Sequence, residues 1–351
     1  MFTRLTRSAL LLAIGACTAL SPVPTSGFAT TGPVDLTFLR PWFEADRTDR
    51  DTLAQRGVVV RALPAAERQI GVLAVTPIAI DPESFLRRVR ALGGVKHAKM
   101  ISGTFSDPPV LGDLAAISLD GGDLDRLRRL CRPGDCRLNL AAHEIAAVQR
   151  ALASDGPGAG TSPAAQQAFR DVMLDRVRLY LKGGLEALPD YHDRSRPVRP
   201  AVIFSEILQQ SAYLRTHVPR LVTYLERFPT AGSDGVESFL RWSRAIMNDK
   251  AVITVTHVSI VRPAPTPGAP AVLIAGKQVY ASRYMNGELT LTMLFTGESG
   301  SPAYLLHVNR AELDELGGAF SGLKRSLIVS RIKDEAVEAL DALRETLERG
   351  R

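Results

Sequence analysis

Cysteine is scarce: the 351 residues hold three, with Cys17 near the start and the pair Cys131 and Cys136 in "RLCRPGDCRLNL". The pair is spaced C-x-x-x-x-C, which excludes a thioredoxin-like C-x-x-C centre. It also lacks zinc partners, because the nearest histidine, His143, has no second His or Cys at ligand spacing. Long apolar runs are missing as well. Beyond the N-terminus no stretch approaches the roughly eighteen apolar residues of a membrane span. Nucleic-acid modules are absent too: "RRVR", "RLRRLCR" and "RSRPVR" are interleaved with apolar or acidic neighbours and read as solvated helix faces. That excludes nucleic acid as a partner and leaves weak attraction to an anionic membrane surface.

Complete catalytic motifs are also lacking. "HEIAA" starts like a zinc-protease helix but has Ala147 where a second histidine is needed. "GESGS" lacks the glycine two residues after Ser299 that a nucleophile elbow requires. In "GGAFSGLKRS", Leu323 separates Gly322 from Lys324, which breaks a phosphate loop. Ser321 and Lys324 do satisfy S-x-x-K, but no K-T-G follows, and a glycine-rich turn before the last helix explains the stretch. "DYHD" (Asp190, Tyr191, His192, Asp193) sets a histidine beside carboxylates, but sequence neighbours rarely point at one another, and a solvated polar turn is the favoured account. No catalytic residue, metal or cofactor is assigned.

What is present begins with Arg4 and Arg7 ahead of an apolar run from Ala9 to Leu20, a signal-like pattern too short to span a bilayer. Two processing readings stand. "IGAC" resembles a bacterial lipobox, which would remove residues 1–16 and lipidate Cys17, whereas Gly27 and Ala29 suit cleavage after residue 29. A cysteine in a discarded segment would have no job, which favours the lipobox, and Thr18 gives no Asp-type inner-membrane retention signal. The expectation is an exported protein, periplasmic or an outer-membrane lipoprotein, that touches the membrane through a lipid anchor if Cys17 is modified. In an oxidising compartment Cys131 and Cys136 then form a disulfide across the turn Pro133, Gly134, Asp135.

The composition, 45% apolar and 23% charged, suits a globular core. Three zones follow. Residues 34–120 read as a hairpin ("GVVVRALP", "RQIGVLAVTPIAI"), a helix capped by Asp81 and Pro82, and then strand, Pro-Pro loop and strand. Residues 121–250 read as helical throughout, including "GVESFLRWSRAIMN", apart from the breaks "SDGPGAGTSP" and "LPDYHDRSRPVRP". Residues 251–351 read as four strands and a long helix, with "NG" as one of the turns. In "ELTLTMLF" the apolar Leu289, Leu291, Met293 and Phe295 alternate with Thr290 and Thr292, which predicts a one-sided antiparallel sheet. The last helix carries its stripe at Ile332, Ala336, Leu340, Leu343 and Leu347.

This α+β order, an antiparallel sheet with a long C-terminal helix interrupted by a helical insertion, resembles the helix-grip fold of the START-like lipid-binding superfamily. The resemblance is carried by "RQIGVLAVTPIAIDPESFLRRVRAL" and "GGAFSGLKRSLIVSRIKDEAVEALDALRETLE", about half the chain. "GDC", "VTHVSIV", "YAS" and "GAFSGLKR" also resemble a family of exported bacterial proteins, which implies no activity. The helix-grip resemblance implies a curved sheet wrapped around the closing helix, with a tunnel between them for a hydrophobic small molecule or lipid. Its expected lining includes Met293 and Phe295, with His257, Tyr280, Tyr284 and His307 (beside Asn309) as polar candidates. Two other readings stay open: an envelope hydrolase or cyclase using His257 or Ser321 with Lys324, and an interaction module that docks through the helical insertion.

Overall fold

The computed structural model describes residues 36–91, 100–155, 162–296, 302–316 and 321–349, the last segment without the side chains of 321–324. Cys17 and the two cleavage positions lie outside the described residues. Among the described residues, eight strands form one antiparallel sheet in the order β1-β2-β8-β7-β6-β5-β4-β3. They are β1 Val59–Ala62, β2 Gln69–Ile78, β3 Met100–Thr104, β4 Val236–Met247, β5 Lys250–Val261, β6 Val272–Ala281, β7 Met285–Phe295 and β8 Ala303–Leu313. α1 is Arg47–Ala54, α2 is Pro82–Ala91, and the helical layer comprises α3 Gly121–Arg129, α4 Ala142–Ser154, α5 Pro163–Gly183, α6 Pro200–Gln209, α7 Ala212–His217 and α8 Pro219–Arg227. The closing helix, α9, is Ser321–Arg349.

Local chemistry sets the helix starts. Asp46 caps α1, Asp120 caps α3 and Ser162 caps α5, each accepting a backbone N–H from the first turn. Ser84 N–H donates to Asp81, as expected for the cap of α2. At the end of α5, Gly184 has φ +68°, and a Cβ there would stand 2.2 Å from the Phe228 carbonyl oxygen. Only glycine permits that approach.

The sheet is covered on both faces, not one. One face meets the helical layer in a single core that includes Leu289, Leu291, Met293 and Phe295 with Phe169, Val177, Phe204, Leu221 and Leu225. The other face meets α2 and α9, where Ile332, Leu340, Leu343 and Leu347 are buried as the stripe predicts. Burying such a side chain contributes about 1.5–3 kcal/mol. Arg88 donates to the carbonyls of Leu347 and Glu348 and so caps the C-terminal end of α9.

Four sequence expectations are corrected. "GVESFLRWSRAIMN" is β4, not a helix: Leu240 and Trp242 face the helical layer while Phe239 and Met247 face the other side. A strand with apolar residues on both faces mimics helical spacing. Its turn to β5 is Asn248–Asp249, both at positive φ, the geometry of a two-residue hairpin, so the sheet resumes at Val236. The segment after the Pro-Pro loop is a 3-10 turn, Leu111–Leu114, instead of a strand. "NG" lies inside β7, and Tyr284 takes the positive φ of the preceding turn. Gly287 is required there because α6 crosses so closely that a Cβ would stand 2.8 Å from Ile203.

Cys131 and Cys136 are disulfide-bonded. Their turn is stitched to "DYHD": Gly134 N–H donates to the His192 carbonyl at 2.8 Å, and Cys136 N–H to that of Asp193 at 2.9 Å. The stretch is therefore no solvated turn. Tyr191 and Asp193 are buried, and Arg194 bridges Asp193 and Asp314.

Candidate functional site

Opposed residues in a sheet point to the same face, and successive residues to opposite faces. On the α9 face this places Asn309 beside Thr290 and Val72, His307 beside Thr292 and Ala74, and Gln278 beside Thr256. These polar residues form a band across the sheet. It separates two apolar clusters. One joins Leu340, Leu343 and Leu347 to Phe85, Ile274, Leu294 and Leu305, and the other joins Ile332 to Ile70, Val72, Met247, Val252 and Leu313. Ala336 and Val60 pack against both clusters, so the apolar surface is continuous along α9 and interrupted away from it. The geometry is a groove: α9 on one side, α2 on another, and a floor of β4 to β8.

The floor is not close-packed. Thr254, Thr256, Glu288 and Thr290, in the middle strands of the sheet, are each only half-buried. Glu288 keeps part of its surface accessible although many atoms surround its carboxyl. Beside α9 an opening of about 80 Å³ is lined by Met247, Tyr284, Leu313, Ile328 and Ile332 together with the charged Glu315, Arg331 and Glu335.

The polar groups in the groove are incompletely paired. Asn309 Nδ2 donates to Glu288 at 2.6 Å, and Thr292 Oγ1 meets His307 Nδ1 at 2.9 Å. His307 Nε2, Asn309 Oδ1 and Gln278 Oε1 are buried with no hydrogen-bond partner among the described residues. Such groups carry a desolvation cost of about 1–3 kcal/mol each unless something meets them. Burial pushes the Glu288 carboxyl up to about 7 and the His307 imidazole down to about 3, so His307 is neutral near neutral pH.

The opposite face holds a second polar cluster. Tyr180 Oη lies 2.6 Å from His257 Nδ1, and Tyr224 Oη lies 3.3 Å from Nε2 and 2.7 Å from Ser238 Oγ. Burial, reinforced by the nearby Lys277, pushes His257 down to about 3. Lys277, the cross-strand neighbour of His257, donates to the Leu225 carbonyl at 2.6 Å, and burial pushes its amine down to about 7. Arg176 and Glu144 form a buried ion pair at 2.7 Å, with the guanidinium set against the rings of Tyr191 and Tyr280.

The structure therefore splits the residues that sequence reasoning grouped. His307 and Tyr284 lie on the α9 side, whereas His257, Tyr280, Met293 and Phe295 lie under the helical layer, away from the wall facing α9. The odd-numbered apolar residues of β7 look toward the helical layer because that layer is the larger core. Ser321 and Lys324 fall in the first turn of α9, where side chains lie outside the described set. Sequence reasoning missed Gln278, Glu288 and Lys277. The available signal was the even-numbered face of β7, Glu288, Thr290 and Thr292, which reads as solvent-facing until a helix is known to cover it.

Among the described residues no three His, Cys, Asp or Glu side chains gather as a metal site would need, and no helix is long and apolar enough to cross a membrane. The comparison with known families returned no match, and neither did the comparison with curated proteins.

Proposed function

We propose that the protein binds and carries, outside the cytoplasm and without catalysis, a mostly apolar molecule lying in the groove between the sheet and α9. The observation that carries this reading is the broken core of the α9 face: two apolar clusters separated by a band of incompletely paired polar groups. The arrangement matches the general build of small-molecule sites, apolar walls with a few placed polar groups. The free atoms of Asn309 and Gln278 are acceptors, so they suit a head group that brings hydroxyl or ammonium donors. The sheet order and the closing helix support the helix-grip resemblance, and the Cys131–Cys136 disulfide supports an oxidising compartment.

The test is native mass spectrometry of the mature protein purified from envelope extract, followed by organic extraction and identification of what is released. The reading predicts a co-purifying lipid that is lost in a Thr290→Arg variant of unchanged melting temperature. A clean apo mass across several preparations, with no lipid gained on incubation, contradicts it.

A further inference from the structure

We propose that Lys277 is a second, chemically reactive site, an amine at the floor of a pocket through the helical layer that captures an apolar aldehyde or ketone as an imine. The pocket, about 310 Å³, is separate from the α9 groove and lies on the other face of the sheet. Its lining joins apolar Leu185, Ala201, Phe204, Phe228 and Pro229 to the charged Glu186, Glu226 and Arg227, and includes Lys277. The lysine is 1% exposed, and no carboxylate among the described residues comes within 4.0 Å of its amine. An ammonium buried without a counter-ion sheds its proton readily. The rings of Tyr180 and Phe204, 5.3 and 4.8 Å from Nζ, retain some positive charge there, but burial outweighs them. One N–H of the neutral amine donates to the Leu225 carbonyl at 2.6 Å, which leaves its lone pair free to attack.

The chemistry balances without an oxidant or reductant. The Nζ lone pair adds to the carbonyl carbon, the C=O π bond opens to a carbinolamine, and loss of one water leaves the C=N bond. The proton that the nitrogen gives up leaves with the carbinolamine hydroxyl as that water, so no outside proton is consumed. The apolar part of the lining, Leu185, Ala201, Phe204, Phe228 and Pro229, gives the hydrocarbon part of such a compound a surface to lie against. The inference does not rest on the groove.

The experiment treats the full chain with hexanal and sodium cyanoborohydride, which traps the imine as a secondary amine, and locates the adduct by peptide mass mapping. The other six lysines (Lys96, Lys99, Lys182, Lys250, Lys324 and Lys333) are internal controls. At pH 7 an ordinary lysine is neutral in only about one molecule in two thousand, so labelling at Lys277 is expected to outpace the others by about tenfold or more. Its rate should level off above pH 7 while the others keep rising. Ser205→Trp, which fills the pocket mouth, should slow Lys277 alone and leave the melting temperature unchanged. Labelling of Lys277 no faster than the surface lysines, or only after unfolding in urea, overturns the proposal.

Discussion

The two faces of one sheet are built on opposite principles. Under the helical layer a single apolar core runs from Leu36 to Val308 and encloses paired polar groups, Arg176 with Glu144, His257 between two tyrosines and Arg283 with Asp123, although Arg176 Nε and Nη1, Tyr280 Oη and Arg283 Nε keep no partner among the described residues. Under α9 the apolar surface is divided by a band in which His307, Asn309 and Gln278 keep polar atoms without a partner among the described residues. The difference is therefore one of continuity: the first face buries one unbroken apolar core, whereas a polar band interrupts the second. The segment between β3 and β4 supplies the helical layer that closes the first face.

The contrast can be broken most severely on the closed face. Glu144→Ala leaves Arg176 buried without its partner and is expected to cost about 3–5 kcal/mol by urea denaturation. Met293→Ala, also in that core, is expected to cost about 2–5 kcal/mol while leaving lipid uptake per folded molecule unchanged. A variant as stable as wild type would show that the closed face is less tightly packed than described. Reduction of Cys131–Cys136 releases a short loop and is expected to cost about 2 kcal/mol. The same treatment should expose Tyr191, visible as a change in near-ultraviolet circular dichroism.

The smallest effect belongs to the groove and depends on pH. The folded pKa of Glu288 is raised to about 7, so the folded state holds a proton that the unfolded chain has released above its ordinary value of 4.5. This group therefore lowers stability progressively as pH rises from about 4.5 to about 7, and it costs nothing below that window. Glu288→Gln is expected to raise the melting temperature by about 2–4 °C at pH 8 and to change nothing at pH 4. An equal shift at both pH values would remove ionisation as the cause.

Much of the frame was legible in sequence. The capping of α2 by Asp81, the β1–β2 hairpin and the stripe of α9 follow from local rules that the tertiary structure does not override. β4 was not legible, because Phe239, Leu240, Trp242 and Met247 are apolar on both faces and leave no period of two to read. The groove was harder still. Thr290 and Thr292 look like the wet side of a one-sided sheet, and only the arrival of α9, from a segment distant in sequence, turns that side into an interior. The pairing of Lys277 with His257 depends on strand register across β5 and β6, which no local pattern reveals.

The central claim is that the broken face, not the closed one, holds the ligand. A monoacylglycerol carrying a diazirine in its acyl chain, photolysed on the full chain and mapped by mass spectrometry, tests it directly. The account predicts adducts on strand residues 254–258 and 288–292 and on residues 328–336 of α9, competed by unlabelled lipid. Adducts confined to α4 to α8, or no labelling above that of a non-binding control protein, would contradict it.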